Sequence, residues 1–200
     1  MKLFVVRHGR TAQNAAGRLL GRADPPLDEL GERQAAALAA AIGPVDRVVS
    51  SPLLRTRQTA EAFGVEVEVD ERLVELDYGD WDGRPVGAVS ADEWAQWRRD
   101  LEFAPPGGES LAALARRVRE ACTSLTEIAA DDETVVAVTH VSPVKAALCW
   151  ALGVHDAVVW RTFVAPASIT RIAVRPTGPQ LHSFNETGHL AAVGTAHETS

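Results

Sequence analysis

The chain has 200 residues, of which 46% are hydrophobic and 24% are charged, a balance that is typical of folded globular proteins and excludes a disordered or fibrous class. Its length predicts a single domain over residues 1–200 with a substantial core. The formal net charge of −7 argues against a nucleic-acid partner, because such domains usually carry a basic face. No stretch approaches the ~18 apolar residues of a membrane span, and the apolar run before Arg7 is too short for a signal peptide, so we expect a cytoplasmic protein without a membrane partner.

The first half of the chain alternates strand and helix signals, as in an α/β domain. The first predicted strand is apolar on both faces, which is typical of parallel strands buried between helices. In chain order, the elements are predicted at Leu3–Val6, Asp28–Ile42, Arg47–Val49, Ser51–Phe63 and Val65–Val69. Ser51 followed by Pro52 is the usual pattern of an N-cap and a first helical residue, so we predict that the second helix begins there.

The second half returns to the same alternation after an irregular stretch. Residues 73–87 mix aromatic, acidic and Gly residues without a clean period, which predicts a long functional loop. Helices are then predicted around Asp92–Leu101, over Leu111–Ile128 and from Ser142 to Gly153, the last with another Ser–Pro start. The run TVVAVT predicts a buried strand, and SITRIAV and QLHSF, separated by RPTGP, predict a hairpin at a sheet edge.

Polar side chains follow three of the predicted apolar strands. LFVV ends in Arg7 and His8, RVV is followed by Arg55 one turn into a helix, and TVVAVT ends in His140. Ligands of open parallel sheets bind outside the carboxyl ends of the strands, where helix N-termini also favour an anion. Each of these residues alone is typical of a solvated or ion-paired surface position. Their combination predicts a phosphate site at this edge of the sheet.

Other phosphate chemistries fit the sequence poorly. It contains no Gly-rich loop ending in Lys-Ser or Lys-Thr, and no Gly-x-Ser-x-Gly elbow. Cys122 and Cys149 have apolar neighbours in predicted helices, which indicates buried free thiols rather than a disulfide or a metal pair. The DWD run at Asp80 does not follow an apolar strand, as a metal-assisted aspartate phosphatase requires. We therefore expect neither a metal nor a cofactor.

The segment VVRHGRTAQN resembles the signature of the histidine phosphatase superfamily, the phosphoglycerate mutase-like proteins, in which Arg-His-Gly is followed by Thr and, three residues later, Asn. Five further blocks follow in the order of that family: DPPLDELGERQA, SSPLLRTRQTA, LVELDYGDWDG, PPGGES and VTHVSP. They cover most of the chain from Lys2 to about Leu152. The resemblance implies an α/β fold of the phosphoglycerate mutase type, a three-layer α/β/α sandwich around a mostly parallel sheet.

The resemblance also implies roles for the matching positions. His8 corresponds to the nucleophile that becomes phosphorylated, and Arg7, Arg55 and His140 correspond to the phosphate-binding set. Glu75 falls where many members keep their proton donor. By the same comparison, substrate-pocket positions are Asn14 and, at the border of the pocket, Thr11 and Gly21.

Two positions depart from the family pattern. Arg10 replaces the commoner Glu or Gln and is expected to add positive charge near the mouth of the site. Val141 follows His140 where Gly is common, and is expected to reshape the backbone beside the phosphate. Glu75 keeps a second interpretation, because an acid close to Asp77 could be a solvated loop residue.

Imidazole chemistry supplies a mechanism for these residues. An imidazole with a pKa near 6.5 is substantially neutral at pH 7 and can attack phosphorus directly, which splits hydrolysis into two steps. Arg7 beside His8 favours the neutral ring. Arg7 and Arg55 can bind the phosphoryl oxygens, and His140, protonated beside a dianion, would supply a third cation. Glu75 is then the candidate that protonates the leaving alkoxide and afterwards activates water.

The function that follows is a metal-independent phosphomonoesterase that acts on a small phosphorylated metabolite. A phosphoglycerate mutase-type phosphotransferase uses the same first step, but its members carry a longer insert than the about 25 residues between Gly83 and GGES. A non-catalytic module that only binds a phospholigand is the alternative from another class. The blocks THVSPVK and SSPLLRTRQTA resemble the branch of α-ribazole phosphatases and broad-range acid phosphatases. The sequence does not name the substrate, and it leaves open whether the protein is a homodimer.

Overall fold

Six strands form where the sequence has short β-branched runs, in a computed structural model that describes residues 1–130 and 132–194. They are β1 (Lys2–Arg7), β2 (Arg47–Ser50), β3 (Val67–Val69), β4 (Thr134–Thr139), β5 (Ile169–Arg175) and β6 (Gly178–Glu186). The strands pair into one sheet with the order β3-β2-β4-β1-β5-β6. β1 to β4 are mutually parallel, whereas β5 runs antiparallel to β1 and pairs with β6 in the predicted edge hairpin. Residues 131 and 195–200 of the predicted domain lie outside the described residues.

Six α-helices connect the strands within these described residues. They are α1 (Ala12–Ala15), α2 (Glu29–Ile42), α3 (Leu54–Glu61), α4 (Ala91–Arg99), α5 (Leu111–Ile128) and α6 (Val141–Leu152). Short 3-10 helices lie in the loops at Glu71–Leu73, Gly79–Trp81, Val86–Ala88, Asp156–Arg161 and Gly188–Leu190. Cys122 and Cys149 are free and buried, as predicted. Within the described part of the chain, no helix combines the length and the apolar character that a membrane crossing needs.

Alternate residues of the buried strands pack against different helix layers. Leu3 and Val5 of β1 belong to a core cluster with residues of α5 and α6. Phe4 and Val6 belong to a second cluster with Leu38 of α2 and with a residue of α3. Because side chains alternate across a strand, this division places helices on both faces of the sheet. The predicted three-layer α/β/α sandwich with a mostly parallel sheet is confirmed.

The prediction that Ser51 and Ser142 begin helices as N-caps is wrong. α3 begins at Leu54, and its N-cap residue makes no side-chain cap bond. α6 begins at Val141 with His140 in the N-cap position. The Ser51 hydroxyl instead lies 2.8 Å from a ring nitrogen of His140, so a contact between distant residues replaces the local cap.

Aromatic packing orders the irregular stretch at residues 73–87, which is a loop as predicted. The ring of Trp97 on α4 lies 5.5 Å from that of Trp81, 6.0 Å from that of Tyr78 and 5.3 Å from that of Trp160, all edge-to-face. These rings and their neighbours form what we call the aromatic cluster: Tyr78, Trp81, Trp94, Trp97, Phe103 and Trp160. The cluster holds the loop against α4 and a later 3-10 helix.

Candidate active site

The register of the parallel strands brings three polar strand ends together. Arg7 at the end of β1 pairs with Thr139 of β4, so the next residues, His8 and His140, lie side by side. Ser51 follows β2, and its amide donates to the carbonyl of Val138 in β4. The rings of His8 and His140 lie 5.1 Å apart in an edge-to-face arrangement. The predicted convergence at the carboxyl edge of the sheet therefore exists.

His8 is a buried, neutral imidazole with one nitrogen available as a nucleophile. Its Nδ1 lies 2.6 Å from the carbonyl oxygen of Gly9, which can only accept, so Nδ1 carries the proton and Nε2 carries the lone pair. Nε of Arg55 donates to Nε2 of His8 at 3.3 Å. Burial first, and then Arg55 and Arg7, lowers the pKa of His8 below its ordinary value. The ring is therefore neutral at pH 7.

Arg55 is a fully buried cation that the backbone holds in place. Its guanidinium donates to the carbonyl oxygens of Ala23 at 2.8 Å and Gly21 at 2.9 Å, in addition to His8. Burial lowers the pKa of Arg55 to about 10, which still leaves it charged at pH 7. The Asp82 carboxylate accepts from the amides of residues 21–23 and so fixes the segment that binds Arg55. Sequence reasoning missed this role of Asp82.

His140 is the second imidazole at this edge of the sheet. The ring is buried, and Nε2 is hydrogen-bonded to the Ser51 hydroxyl at 2.8 Å. Within the described residues, Nδ1 of His140 is buried with no hydrogen-bond partner. Burial, followed by Arg55 and His8, lowers the pKa of His140 below its ordinary value. The expected third cation is therefore neutral until an anion binds and raises that pKa.

Glu75 is buried and does not have the solvated environment of an ordinary loop acid. Its Oε1 accepts from the amides of Leu76 at 2.7 Å and Ser142 at 3.2 Å, the latter in the first turn of α6. Arg117 of α5 donates to the carbonyl oxygens of residues 72, 74 and 75, and pairs with Glu109 at 2.7 Å. Arg117, which sequence reasoning also missed, thus anchors the segment that carries Glu75.

His8 and Glu75 line a cavity of about 160 Å³, which we call the phosphoryl cavity, whereas Arg55 and His140 are not part of its lining. Its lining includes Arg7, His8, Asn14, Glu75 and Val141. In addition, Arg7 is buried, and its guanidinium donates to the carbonyl oxygen of Val164 at 2.7 Å. The cavity lining combines a nucleophile, a carboxyl group and the cations Arg7 and Arg18, and Arg55 contacts Nε2 of the nucleophile.

Thr11 and Gly21, which were predicted to border the substrate pocket, lie outside the phosphoryl cavity. Thr11 is buried and caps α1, where its hydroxyl donates to Asn14 Oδ1 at 2.9 Å. Gly21 contributes its carbonyl to Arg55, and a Cβ there would lie 2.7 Å from the carbonyl oxygen of Leu76. Neither Thr11 nor Gly21 lines the phosphoryl cavity, so both support the site from behind.

The two departures from the family pattern also differ in position. Val141 lines the phosphoryl cavity directly. Arg10 does not line it, and its Nε forms an ion pair with Asp28 at 2.8 Å. The charge that Arg10 was expected to add is therefore largely paired with the N-cap residue of α2.

A larger cavity of about 410 Å³ lies at the other edge of the sheet, beside the start of β1. It contains none of the predicted site residues. Because the ligands of parallel sheets bind at the carboxyl edge, the smaller cavity is the better candidate. No group of three or more His, Cys, Asp or Glu residues among residues 1–130 and 132–194 is placed to hold a metal ion.

Comparison with known proteins agrees with the geometry of the site. The model of the histidine phosphatase superfamily (branch 1) matches residues 3–187. Phosphoserine phosphatase 1 of Hydrogenobacter thermophilus is 35% identical over 204 residues, which cover 95% of this chain and 94% of that protein. Proteins named as probable phosphoglycerate mutases also match. The chain spans about half the length of three mycobacterial relatives, covering 55% of each at 34% identity.

Two solved structures illustrate the structural similarity. Phosphoserine phosphatase of Entamoeba histolytica, in complex with 3-phosphoglyceric acid, has a TM-score of 0.86 at 28% identity, covering 94% of this chain and 98% of that one. A putative α-ribazole-5'-phosphate phosphatase of Escherichia coli has a TM-score of 0.81 at 25% identity, covering 93% and 96% of the two chains.

Proposed function

The chain belongs to the histidine phosphatase superfamily, branch 1, and from this premise we propose that it hydrolyses small phosphate monoesters through a phosphohistidine intermediate on His8. The observation that carries the proposal is a buried neutral imidazole whose Nε2 lies against the guanidinium of Arg55. The nucleophilic lone pair therefore carries no proton and accepts a hydrogen bond from Arg55, the cation that an anion would bind. We further propose that residues 1–200 form one catalytic domain.

In the first step, Nε2 of His8 attacks phosphorus and the bond from phosphorus to the leaving oxygen breaks. The proton on Nδ1 stays on the ring, where the Gly9 carbonyl stabilises the positive charge that develops. Arg7 and Arg55 neutralise the phosphoryl oxygens. Protonated Glu75 gives its proton to the leaving oxygen, which departs as an alcohol.

In the second step, water attacks the phosphorus of phosphohistidine. Glu75, now a carboxylate, accepts a proton from that water, and the bond from phosphorus to Nε2 breaks. Inorganic phosphate leaves, and His8 and Glu75 return to their starting protonation states. Because the guanidinium groups neutralise the charge, the proposed reaction requires no metal or cofactor.

The proposed substrate is a small phosphorylated metabolite. Similarity to proteins that are named phosphoserine phosphatases supports a substrate of this class, because phosphoserine is a small phosphate ester. The narrower assignment to the branch of α-ribazole and broad-range acid phosphatases remains a prediction, supported by one similar fold. A cytoplasmic setting is proposed on the free thiols of Cys122 and Cys149, because reducing compartments keep cysteines unpaired.

Release of inorganic phosphate from a panel of phosphorylated metabolites tests the proposal directly. We expect turnover by the wild type and by the exposed-histidine control His182→Ala, and no turnover by His8→Ala. Acid-labile, base-stable labelled phosphate should be trapped on the wild type and on His182→Ala, but not on His8→Ala. Activity should survive EDTA.

Four results would contradict the proposal. Activity in the His8→Ala variant would rule out His8 as the nucleophile. A loss of activity on chelation that one divalent ion restores would show that the reaction needs a metal. A ³¹P NMR spectrum in which the ester isomerises without inorganic phosphate would indicate a mutase. If the wild type binds phosphate but turns over no ester, the protein is the non-catalytic binding module.

A further inference from the structure

A second cavity of about 160 Å³ adjoins the phosphoryl cavity, and we call it the Lys145 cavity. Tyr78 and Val141 line both cavities. Members of the aromatic cluster form much of its wall, namely Tyr78, Trp94, Trp97 and Trp160. The two cavities are therefore neighbours that share a boundary.

The order of residues along the chain places this cavity on the leaving-group side. Glu75, the proposed donor to the leaving oxygen, lines the phosphoryl cavity, and the next residue, Leu76, lines the Lys145 cavity. On α6, Val141 lies at the boundary, and Lys145 follows four residues later on the same helix face. A substrate whose phosphoryl group contacts His8 would extend past Glu75 in this direction.

The lining of the Lys145 cavity is rich in hydrogen-bond donors and has a positive charge. Lys145 is the one charged residue among the described residues that line it. The indole Nε1 atoms of Trp97 and Trp160 are buried and, within the part of the chain that is described, have no acceptor. Burial lowers the pKa of Lys145, and the nearby Glu75 carboxylate offsets part of that effect. These two indole nitrogens have almost no accessible surface, so the neutral donors that line the cavity are the hydroxyl groups of Tyr78 and Ser142. The half-buried ammonium group of Lys145 is unfavourable unless an acceptor joins it.

The identity of the cation is also informative. The chain contains 20 Lys and Arg residues, and its only lysines are Lys2 and Lys145, so the other 18 are Arg. In a chain that uses arginine almost everywhere, the lysine that lines a cavity is a compact point charge on a flexible stem. Such a group fits a small enclosed space that a planar guanidinium would fill.

We propose that the Lys145 cavity binds the leaving-group end of the substrate and that Lys145 pairs with a carboxylate there, so that the preferred substrates are phosphate esters of hydroxy acids. This inference rests on the proposed phosphatase function. A carboxylate brings two acceptor oxygens and one negative charge, which matches one ammonium group and neutral donors. A second phosphate dianion would leave excess negative charge beside Glu75, and a neutral alcohol would leave the ammonium group unpaired.

Matched pairs of substrates that differ by the carboxylate test this proposal. Suitable pairs are 3-phosphoglycerate with glycerol 3-phosphate, and phosphoserine with phosphoethanolamine. In the wild type, kcat/KM should be higher for the carboxylated member of each pair. In Lys145→Met, the ratio within each pair should fall by roughly tenfold to a hundredfold, the usual contribution of a hydrogen bond to a charged group. Lys145→Arg should retain part of the ratio, and Lys2→Met should not change it.

A second readout separates this proposal from the phosphatase function itself. Titration calorimetry of the same pairs in a His8→Ala background gives affinity ratios without turnover, and Lys145→Met should reduce them too. Turnover of p-nitrophenyl phosphate reports on folding and chemistry in each variant. If Lys145→Met hydrolyses p-nitrophenyl phosphate but keeps the wild-type ratios, the subsite is wrong. If the wild type hydrolyses nothing yet the affinity ratios depend on Lys145, the phosphatase function is wrong and the subsite stands.

Discussion

The two neighbouring cavities are built in different ways. At the phosphoryl cavity, backbone groups hold the lining residues His8 and Glu75 and also Arg55, which contacts His8: Gly9 holds His8, Gly21 and Ala23 hold Arg55, and two amides hold Glu75. In the Lys145 cavity, side chains form the wall, and two indole donors of its described lining lack acceptors. Backbone positions the chemistry with little freedom, whereas side chains can change without disturbing the strands. The comparison therefore assigns the reaction to one cavity and substrate choice to the other.

The strongest test of this division is at Arg55. Arg55→Ala should lower kcat/KM at least ~100-fold for every substrate, because loss of one preorganised charge contact commonly costs about 3 kcal/mol. Removing this cation should also raise the pKa of His8, which moves the acid limb of the pH–rate profile to higher pH. Steady-state kinetics over pH 4–9 would measure both effects. Arg57→Ala, on an exposed neighbour in the same helix, is the control. A loss confined to carboxylated substrates would erase the distinction between the cavities.

A smaller effect that depends on the substrate is expected at the boundary between the cavities. If Glu75 protonates the leaving oxygen, Glu75→Gln should slow the hydrolysis of alkyl phosphates by roughly 100-fold, but affect p-nitrophenyl phosphate much less, since its phenolate leaves without help. The exposed Asp80→Asn in the same loop is the matched control. Equal losses on both ester types would instead give Glu75 a role in the water step or in holding the loop.

The smallest effect is expected at Ser51, which touches only His140 within the site. Ser51→Ala removes the neutral hydrogen bond to His140 and a longer one from the amide of Leu53, so the affinity for inorganic phosphate should fall between about twofold and tenfold. The ¹⁵N NMR shifts of the His140 ring should change as well, because Nε2 loses its hydrogen-bond partner. Thr123→Ala, which removes an exposed hydroxyl on α5, is the control. Unchanged ring shifts would show that Ser51 does not position His140.

The sequence predicts the phosphoryl cavity much better than its neighbour. Apolar runs that end in Arg7, His8 and His140 mark strand ends, and parallel strands must bring those ends to one edge. Local sequence patterns were enough to predict these residues, because backbone groups position their side chains. The helix boundaries of α2 and α5 also follow directly from Asp28 and Gly43 and from the apolar period.

What the sequence did not predict depends on contacts between distant residues. Ser51 has the sequence pattern of an N-cap, but its hydroxyl is hydrogen-bonded to the ring of His140, which follows β4. Arg117 and Asp82 have no local signal, since each acts on backbone groups far away in the chain. The lining of the Lys145 cavity comes from α4, α5, α6, a loop and a 3-10 helix, and no single periodicity describes such a surface.

The parallel pairing of β1 with β4 has a consequence for the order of events during folding. Its register joins Lys2 to Thr134 and Arg7 to Thr139, so nearly the whole intervening chain must close as a loop before the two histidines meet. Non-local pairings of this kind form slowly compared with helices and hairpins. The nucleophile is therefore assembled among the last features of the molecule. Partly folded chains that contain every helix would still lack the reactive site. The rate at which turnover returns during refolding would therefore report the rate of the final strand pairing.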